Sequence, residues 1–273
     1  MDTTGSLLES RCNRLKKTRY GLMLYNVNDL FVGRSLDIYG EFSEAEVELF
    51  RQIVRPGATV VDVGANIGAH TLFFAGTVGK TGLVLAFEPQ RVVFQMLCAN
   101  MALNDIRNVH CFQMALGSKA GQAYIPIPDY DTQGNFGGLS LNEEKGAGEE
   151  VMIMTLDAIS FPRLDFVKID VEGQEAEVIR GAVQNIARHK PLLYVENDRR
   201  ERSPALISLI QSLGYDLYWH LPPLFNPQNF FGNKDNVFAH KRSGNVLCVH
   251  QSMNADISGL RRIESPQDWP LKE

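Results

Sequence analysis

The stretch VVDVGANIG, at residues 60–68, decides the fold of this 273-residue chain. A short β-branched run over residues 59–63 predicts a buried strand, and the apolar residues of 70–78 predict the helix that follows it. The small residues between them have the spacing D-x-G-x-x-x-G. A turn of this kind lets a ligand approach the backbone closely and points free amides at it. The stretch therefore predicts a cofactor site at the end of a buried strand.

Asn66 bears on which of two ligand classes uses this turn. A pyrophosphate dinucleotide needs glycine at this place, because the pyrophosphate touches the backbone there. S-adenosylmethionine has no phosphate and tolerates the asparagine, which itself tolerates a positive φ. The motif therefore favours the methyl donor over NAD. An NAD-dependent oxidoreductase, a non-catalytic nucleotide-binding module and a plain strand-to-helix turn remain the alternatives.

Glu88 follows the next predicted strand, residues 83–87, and lies 20 residues after Gly68. An acidic group at this place accepts hydrogen bonds from a ribose diol, which both NAD and S-adenosylmethionine carry. Alternatively, Glu88 caps the helix that Pro89 begins.

A third motif, KIDVEGQE at residues 168–175, places a lysine and two carboxylates at the end of a predicted strand over 166–170. Open α/β sheets bind their ligands at this edge. Asp170 or Glu172 would then face the donor or the acceptor. The alternative is an internal ion pair between Lys168 and Asp170.

Strands and helices alternate along most of the chain, which indicates βαβ units and a parallel sheet. We expect an N-terminal extension over 1–42 with a hairpin around Asn28 and Asp29, a domain over 43–250 and a loosely attached polar tail over 251–273. An insertion of short strands over 117–150 includes the acidic turn Glu143-Glu144. The pattern also predicts one helix over 174–188 and a final strand pair over 236–240 and 246–249.

Composition sets broad limits on function. Hydrophobic residues make up 44% of the chain and charged residues 22%, which is typical of a globular protein. The net charge of −5 indicates no general attraction to nucleic acids or anionic membranes. The four cysteines are far apart and form no CxxC pair, as in a reduced intracellular protein. No apolar run approaches the roughly 20 residues that span a bilayer, and no secretory signal is recognisable, so we expect a cytoplasmic location.

The motifs DVGANIGAHT (62–71), AFEP (86–89) and KIDVEGQE (168–175), in this order, resemble the FkbM family of S-adenosylmethionine-dependent methyltransferases. The likeness runs from about residue 39 to about residue 214. It implies a class I methyltransferase fold: a Rossmann-like, mostly parallel sheet of seven strands with helices on both faces and an antiparallel last strand. It also implies methylation of hydroxyl oxygens on sugars or secondary metabolites.

The resemblance implies a donor site for S-adenosylmethionine. Asp170 would lie near the donor's amino group, and Glu88 would hold its ribose. His70 could instead only pack on the first helix. The other residues implied are Gly64, Asn66 and Gly68 at the methionyl part, Ala115 and Leu116 beside the adenine, Asp62, His70 and Thr71 within the first motif, and Tyr39 and Glu41 closing over the donor.

Methyl transfer to an alcohol needs a base, because the hydroxyl loses its proton as it attacks. Candidates near strand ends are Asp170, Glu172, Glu196 and His220, although Glu196 could cap a turn and His220 could be a loop histidine. A divalent cation held by Asp170 with Glu196 and Asn197 is a less favoured variant. Phenylalanines and asparagines over 221–236 could form the acceptor site or pack on one another, and the segment 134–140 could be a lid. The expected partner is a small molecule, such as a sugar or a hydroxylated metabolite, and neither nucleic acid nor membrane.

Overall fold

The structure, a computed structural model, describes residues 5–142, 146 and 148–270. Glu143 and Glu144 of the predicted acidic turn lie outside the described residues. The strands are β1 (Leu8–Glu9), β2 (Asn13–Thr18), β3 (Gly21–Asn26), β4 (Thr59–Val63), β5 (Leu83–Phe87), β6 (Val109–Phe112), β7 (Ala115–Leu116), β8 (Gly121–Ile125), β9 (Glu149–Met154), β10 (Phe166–Ile169), β11 (Leu192–Glu196), β12 (Tyr215–His220), β13 (Asn245–His250) and β14 (Arg261–Arg262). The helices are α1 (Val32–Tyr39), α2 (Glu44–Ile53), α3 (Ala69–Val78), α4 (Arg91–Leu103), α5 (Glu175–Arg180), α6 (Val183–His189) and α7 (Ser203–Ser212).

A central sheet runs through the described part of the chain, with eight strands in the order β6-β5-β4-β10-β11-β13-β12-β14. The five strands from β6 to β11 are parallel to one another. Strand β13 is antiparallel to both of its neighbours, and β14 is added at the edge beyond β12. The predicted class I methyltransferase fold, with seven mostly parallel strands and an antiparallel last one, is therefore confirmed, and β14 extends it.

Helices cover both faces of this sheet, because side chains alternate between the faces along each strand. Val61 and Val63 of β4 belong to one hydrophobic cluster with residues of α5, α6 and α7. Val60, on the opposite face, belongs to a second cluster with residues of α2 and α3. The carboxyl ends of β4, β5, β10 and β11 consequently meet at one edge, between the two helical layers.

The N-terminal hairpin lies earlier in the chain than the sequence predicts. Strands β2 and β3 pair around Arg19 and Tyr20 rather than around Asn28 and Asp29. The Asp29 carboxylate accepts hydrogen bonds from the amides of Phe31 and Val32, at 2.8 and 3.2 Å, where α1 begins. The expected second strand is thus the start of a helix, since a carboxylate satisfies amides that have no partner in a first turn.

The insertion contributes a small three-stranded sheet in the order β7-β9-β8. Strand β6 ends at Phe112, and β7 leaves the central sheet to pair with β9. The predicted helix over 174–188 is two helices, which meet at Gly181. A Cβ at Gly181 would lie 1.9 Å from the carbonyl oxygen of Gly117, so this point of the chain is pressed against the segment that follows β7.

The C-terminal segment is attached more firmly than its polar sequence indicates. Strand β14 pairs with β12, Ile263 is buried, and the rings of Trp269 and Trp219 pack edge to face. The expectation that the tail is loosely attached is therefore wrong for this part of the chain. The predicted strand over 236–240 was also wrong, because β13 pairs with β12 and β11 instead.

Candidate active site

The turn after β4 has the left-handed backbone that its small residues permit. The φ angles are +76° at Gly64, +51° at Asn66 and +88° at Gly68. A Cβ at Gly64 would lie 1.8 Å from the carbonyl oxygen of Asp170, so the first and third sequence motifs touch here. This contact requires glycine.

Every amide of this turn already has an acceptor within the protein, which differs from the free amides that the sequence predicts. Gly64 and Ala65 donate to the Phe87 carbonyl, and Gly68 donates to the Ala65 carbonyl. The Asn66 amide donates to Glu88 Oε2 at 3.0 Å, and the Ile67 amide donates to Asn66 Oδ1 at 2.7 Å. No backbone amide of residues 64–68 is left for a phosphate.

Two clefts open at this edge of the sheet. The first cleft has a volume of about 500 Å³, which includes space open to the solvent, and its walls are mostly apolar. The second cleft encloses about 1150 Å³ and has many polar and charged walls. They share the residues Gly64, Glu88, Gly137, Asp170 and Glu172, which we call the junction.

The walls of the first cleft combine predicted and unpredicted residues. Ala115 and Leu116, expected beside an adenine, line it. Sequence reasoning missed the other apolar walls, which come from the end of the β6 segment and from the insertion, namely Met114, Ile125, Leu139 and Leu141. The only signal was the predicted lid over 134–140, two residues of which, Gly137 and Leu139, do line this cleft.

Glu88 has the capping role that the sequence left open, while its ribose role stays a prediction. Its Oε1 accepts a hydrogen bond from the Gln90 amide at 2.9 Å, just ahead of α4, and its Oε2 accepts the bond from Asn66. The same carboxyl lines both clefts. Burial raises its pKa to about 7, although the two amides act in the opposite direction.

A buried lysine links the first and third motifs. Lys168 Nζ lies 3.0 Å from Asp170 Oδ2 and 3.6 Å from Asp62 Oδ1. Asp62 also accepts a hydrogen bond from Thr71 Oγ1 at 2.7 Å. Asp62 and Thr71 are fully buried beneath the turn and are not among the described residues that line either cleft. They support the turn rather than touch a ligand, contrary to the expected cofactor contact.

Three of the four predicted catalytic residues meet at the second cleft, namely Asp170, Glu172 and Glu196. Glu172 has the left-handed φ of +55° and accepts a hydrogen bond from Arg199 Nη2 at 2.8 Å. Burial, and then the charge of Asp170, raise the pKa of Glu172 to about 7. A carboxyl with this pKa exchanges protons near neutral pH.

His220, the fourth predicted catalytic residue, is elsewhere. Its Nδ1 lies 2.8 Å from the Tyr194 hydroxyl, and the residue is not among those described that line the two clefts. Burial lowers its pKa to about 4. The structure therefore does not bring His220 to the other candidates.

His70 lies in the wall of the second cleft and also packs on the helical layer. Its ring contacts the rings of Phe42, Phe50 and Phe74. Burial lowers its pKa to about 3, so it is neutral at physiological pH. His70 therefore packs as the sequence considered, and its contact with the cofactor stays a prediction.

Tyr39 and Glu41, expected to close over a donor, hold a loop instead. The Tyr39 hydroxyl donates to the Asp235 carbonyl at 2.7 Å. Glu41 accepts hydrogen bonds from Arg19, Asn226 and the Phe230 amide. The phenylalanines and asparagines of residues 221–236 thus pack and bond within the protein, and among the described residues of this loop only Leu224 lines the second cleft.

No group of three or more His, Cys, Asp or Glu side chains in the described part of the chain is arranged to hold a metal ion. The divalent cation considered for Asp170 and Glu196 is therefore not supported. None of the helices among the described residues is long and apolar enough to span a membrane.

Glu46, on α2, is a buried carboxyl near this site that sequence reasoning did not include. Its Oε1 accepts a hydrogen bond from Ser43 Oγ at 2.9 Å, and its Oε2 lies 4.0 Å from His70 Nε2. Burial raises its pKa to about 7, even though Lys168 acts in the opposite direction.

Replacing Glu46 by glutamine is expected to make stability less dependent on pH. An unfolded glutamate ionises near pH ~4.3, whereas folded Glu46 keeps its proton to about 7, so this group lowers wild-type stability as the pH rises between these values. The stability of Glu46→Gln relative to wild type should grow by up to about 3 kcal/mol between pH ~5 and pH ~8 in urea unfolding. The control Glu48→Gln, at an exposed position of the same helix, should show no such growth. Equal pH dependence in both variants would contradict the assignment.

Comparison with known proteins agrees with this geometry. The model of the methyltransferase FkbM domain matches residues 62–217, more than half of the chain. The chain is similar to methyltransferase sdnD of Sordaria araneosa, with 28% identity over 191 residues, which cover 58% of this chain and 73% of that protein. It is also similar to methyltransferase 1 of Beauveria bassiana, with 28% identity over 145 residues, which cover 45% of this chain and 57% of that protein. A solved structure, the methyltransferase FkbM of Methylobacillus flagellatus KT, aligns with a TM-score of 0.45 and 18% identity over 74% of this chain and 50% of that one.

Proposed function

Since the chain belongs to the FkbM family of S-adenosylmethionine-dependent methyltransferases, we propose that it transfers the methyl group to a hydroxyl oxygen of a small molecule. The observation that carries this proposal is the junction, where a largely apolar cleft opens into a larger polar one beside three carboxyl groups. A donor in the first cleft would present its reactive end to an acceptor in the second.

The first cleft suits the adenosine part of the donor. Its apolar walls, including Ala115 and Leu116, fit the faces of an adenine ring, and Glu88 lies where it can accept hydrogen bonds from the ribose hydroxyls. The methionyl part would lie along Gly64, with its amino group near Asp170. The turn has no amide left for a pyrophosphate, which favours this donor over NAD.

Glu172 is the best placed general base. Bound S-adenosylmethionine supplies an electrophilic methyl group, and the acceptor hydroxyl must lose its proton as it attacks. Glu172 lines both clefts, is oriented by Arg199, and has a pKa of about 7, close to the pH at which a base works best. Asp170 is less suitable, because Lys168 holds its carboxylate as an ion pair.

The second cleft favours a small hydroxylated acceptor, such as a sugar or a hydroxylated metabolite. Carboxylates accept hydrogen bonds from hydroxyl groups, and Glu172, Glu196 and Asp198 all line this cleft. The net charge of −5 disfavours a nucleic acid, and the five carboxyl groups of this cleft outnumber its three cationic residues, Lys168, Lys241 and Arg242.

The proposal is tested by incubating the protein with S-adenosylmethionine carrying a ¹³C-labelled methyl group and a panel of sugars and hydroxylated metabolites. The expected product contains a labelled methoxy group, which NMR distinguishes from N-methyl and C-methyl groups. Addition of S-adenosylhomocysteine should suppress its formation. A labelled N-methyl or C-methyl product, with no methoxy product, would overturn the choice of oxygen.

Replacing Glu88 by glutamine is expected to weaken S-adenosylhomocysteine binding by about 10–100-fold in calorimetry, because hydrogen bonds to a charged acceptor contribute about 1.5–3 kcal/mol. Wild-type affinity should rise with pH through about 7, since the ionised carboxylate is the better acceptor. The control Glu201→Gln changes an exposed carboxylate outside both clefts and should bind normally. Affinity of Glu88→Gln within twofold of wild type would contradict the ribose assignment.

A further inference from the structure

Glu196, the last residue of β11, has a carboxyl oxygen with an unusual environment. The residue lines the second cleft, yet its Oε2 is shielded from solvent and has no hydrogen-bond partner among the described residues. Buried polar atoms in folded proteins nearly always have a partner. An unpartnered carboxyl oxygen in the wall of a cleft therefore points to a ligand group that it faces when the cleft is filled.

The charges around Glu196 are mostly negative. Of the cations nearby, Lys168 pairs with Asp170 and Asp62, and Arg199 pairs with Glu172. Lys241 and Arg242 also line the second cleft, where Lys241 lies over the Phe31 ring and Arg242 donates to the Leu221 carbonyl. Burial, and then the neighbouring carboxylates, raise the pKa of Glu196 well above its usual value. The titratable and charged groups that face it or act on it are Lys168, Asp170 and Glu172 from the β10 side, Glu175 of α5, Asp198 and Arg199 after β11, and Tyr194 of its own strand.

A charge placed at the junction acts on Glu196 strongly. After burial, the largest influence on its pKa is the negative charge of Asp170, which is a junction residue. A positive charge brought to the same place acts with the opposite sign and favours the ionised carboxylate. The donor of the proposed function has such a charge on its sulfonium, whereas S-adenosylhomocysteine lacks it and is otherwise the same molecule without the methyl group.

We propose that Glu196 is the residue by which this protein distinguishes the methyl donor from its demethylated product. The inference rests on the proposed position of the donor's methionyl end at the junction. Donor binding would release the proton of Glu196 to solvent, and the carboxylate would pair with the sulfonium charge. Methyl transfer breaks the carbon–sulfur bond, and its electron pair stays on sulfur. The new carbon–oxygen bond forms as the acceptor's proton passes to Glu172. Glu196 then faces a neutral sulfur, takes a proton back from solvent and binds the product more weakly than the donor.

The sign of the pH dependence follows from this exchange. Below the pKa of Glu196 in the empty site, donor affinity rises with pH because binding releases a proton, by at most about tenfold per pH unit for one proton. The affinity for the product does not have this pH dependence, because product binding releases no proton from Glu196. Glu88 is also a junction residue with a pKa of about 7, so its titration contributes to the ratio of the two dissociation constants in every protein that keeps it. The contribution of Glu196 is therefore the difference between proteins with and without it.

The test measures the dissociation constants of S-adenosylmethionine and S-adenosylhomocysteine by calorimetry between pH ~5.5 and pH ~7.0, below the titration of the ligands' α-amino groups. Glu172 also titrates in this window, so the reference protein is Glu172→Gln. In that protein the preference for the donor should rise with pH, by at most about tenfold per pH unit for the proton of Glu196. In Glu172→Gln/Glu196→Gln the rise should be smaller, and an equal rise in the two proteins would overturn the role of Glu196. Glu177→Gln, added to the same reference, changes a carboxylate outside both clefts and should leave the rise intact.

A second readout is the number of protons exchanged, obtained by repeating the titrations in buffers of different ionisation enthalpy. Donor binding should release more protons than product binding in the reference protein, and the same number when Glu196 is glutamine. A donor preference that is constant with pH in both proteins would overturn the role of Glu196 and leave the donor site in place. Failure of the wild-type protein to bind either ligand would overturn the donor site itself, and this inference with it.

Discussion

Replacing Glu172 by glutamine is expected to slow methyl transfer by about 10²–10⁴-fold, which is the usual contribution of a general base. Glutamine has nearly the same shape and can still accept the hydrogen bond from Arg199 Nη2. It cannot take the acceptor's proton. Binding of S-adenosylhomocysteine should therefore stay within a few-fold of wild type, and the loss should be in kcat.

The pH profile separates loss of a base from a distorted site. Wild-type kcat at saturating donor should rise through pH about 7, because Glu172 has this pKa and must be ionised to accept a proton. The residual rate of Glu172→Gln should lack that rise. His220→Gln is the matched control, since His220 is bonded to Tyr194 away from the clefts, and its rate should stay near wild type. The assignment fails if Glu172→Gln keeps more than about a tenth of wild-type kcat.

Replacing Gly64 by alanine is expected to remove both stability and donor binding. Alanine is strained at a φ of +76°, and its Cβ would lie 1.8 Å from the Asp170 carbonyl oxygen. Backbone strain and overpacking each cost about 1–3 kcal/mol, so the free energy of unfolding should fall by about 2–6 kcal/mol. Strands β4 and β10 are paired up to Val63 and Ile169, so the clash is relieved only by separating the residues of the junction.

The expected loss of S-adenosylhomocysteine affinity is about 100-fold or more, since a displacement of about 1 Å in a positioned site has an effect of this size. Urea unfolding and calorimetry measure the two effects. Gly76→Ala is the control, because Gly76 is within α3 and an added Cβ would meet nothing within 4 Å. It should bind normally and gain about 0.5–1 kcal/mol of stability. A folded Gly64→Ala protein with wild-type affinity would show that the close approach of the two motifs is dispensable.

Sequence patterns predicted the centre of the fold well. The bounds predicted for β4 and β5 are those of the structure, because each is a short buried run that ends at a turn or a polar residue. The prediction failed where a segment has no periodic pattern of its own. Gly181 interrupts the helix predicted over 174–188 because Gly117, more than sixty residues earlier, lies against it.

The donor side of the candidate site could be predicted because parallel strands place their carboxyl ends at one edge. Once the strands within residues 60–68, 83–88 and 166–170 are assigned to one parallel sheet, their carboxyl ends meet at one edge. Gly64, Glu88 and Asp170, which lie at these ends, must then be neighbours. Their chemistry follows from residue type, since each is a glycine or carboxylate at a strand end. The fold class and the methyltransferase family therefore followed from the sequence, whereas the facing of Gly64, Glu88 and Asp170 toward the donor stays a prediction.

The tertiary structure alone decided the rest. His220, Tyr39 and Glu41 have residue types that suit a site, but their partners are Tyr194, the Asp235 carbonyl and the loop around Asn226. Three apolar walls of the first cleft, Ile125, Leu139 and Leu141, come from the insertion, where the segment 134–140 gave the only signal. The pKa values of Glu46, Glu172 and Glu196 depend on burial and on charges brought from other elements. The physical reason is the same in each case, because burial and electrostatic environment are properties of contacts between distant segments, which local sequence patterns do not specify.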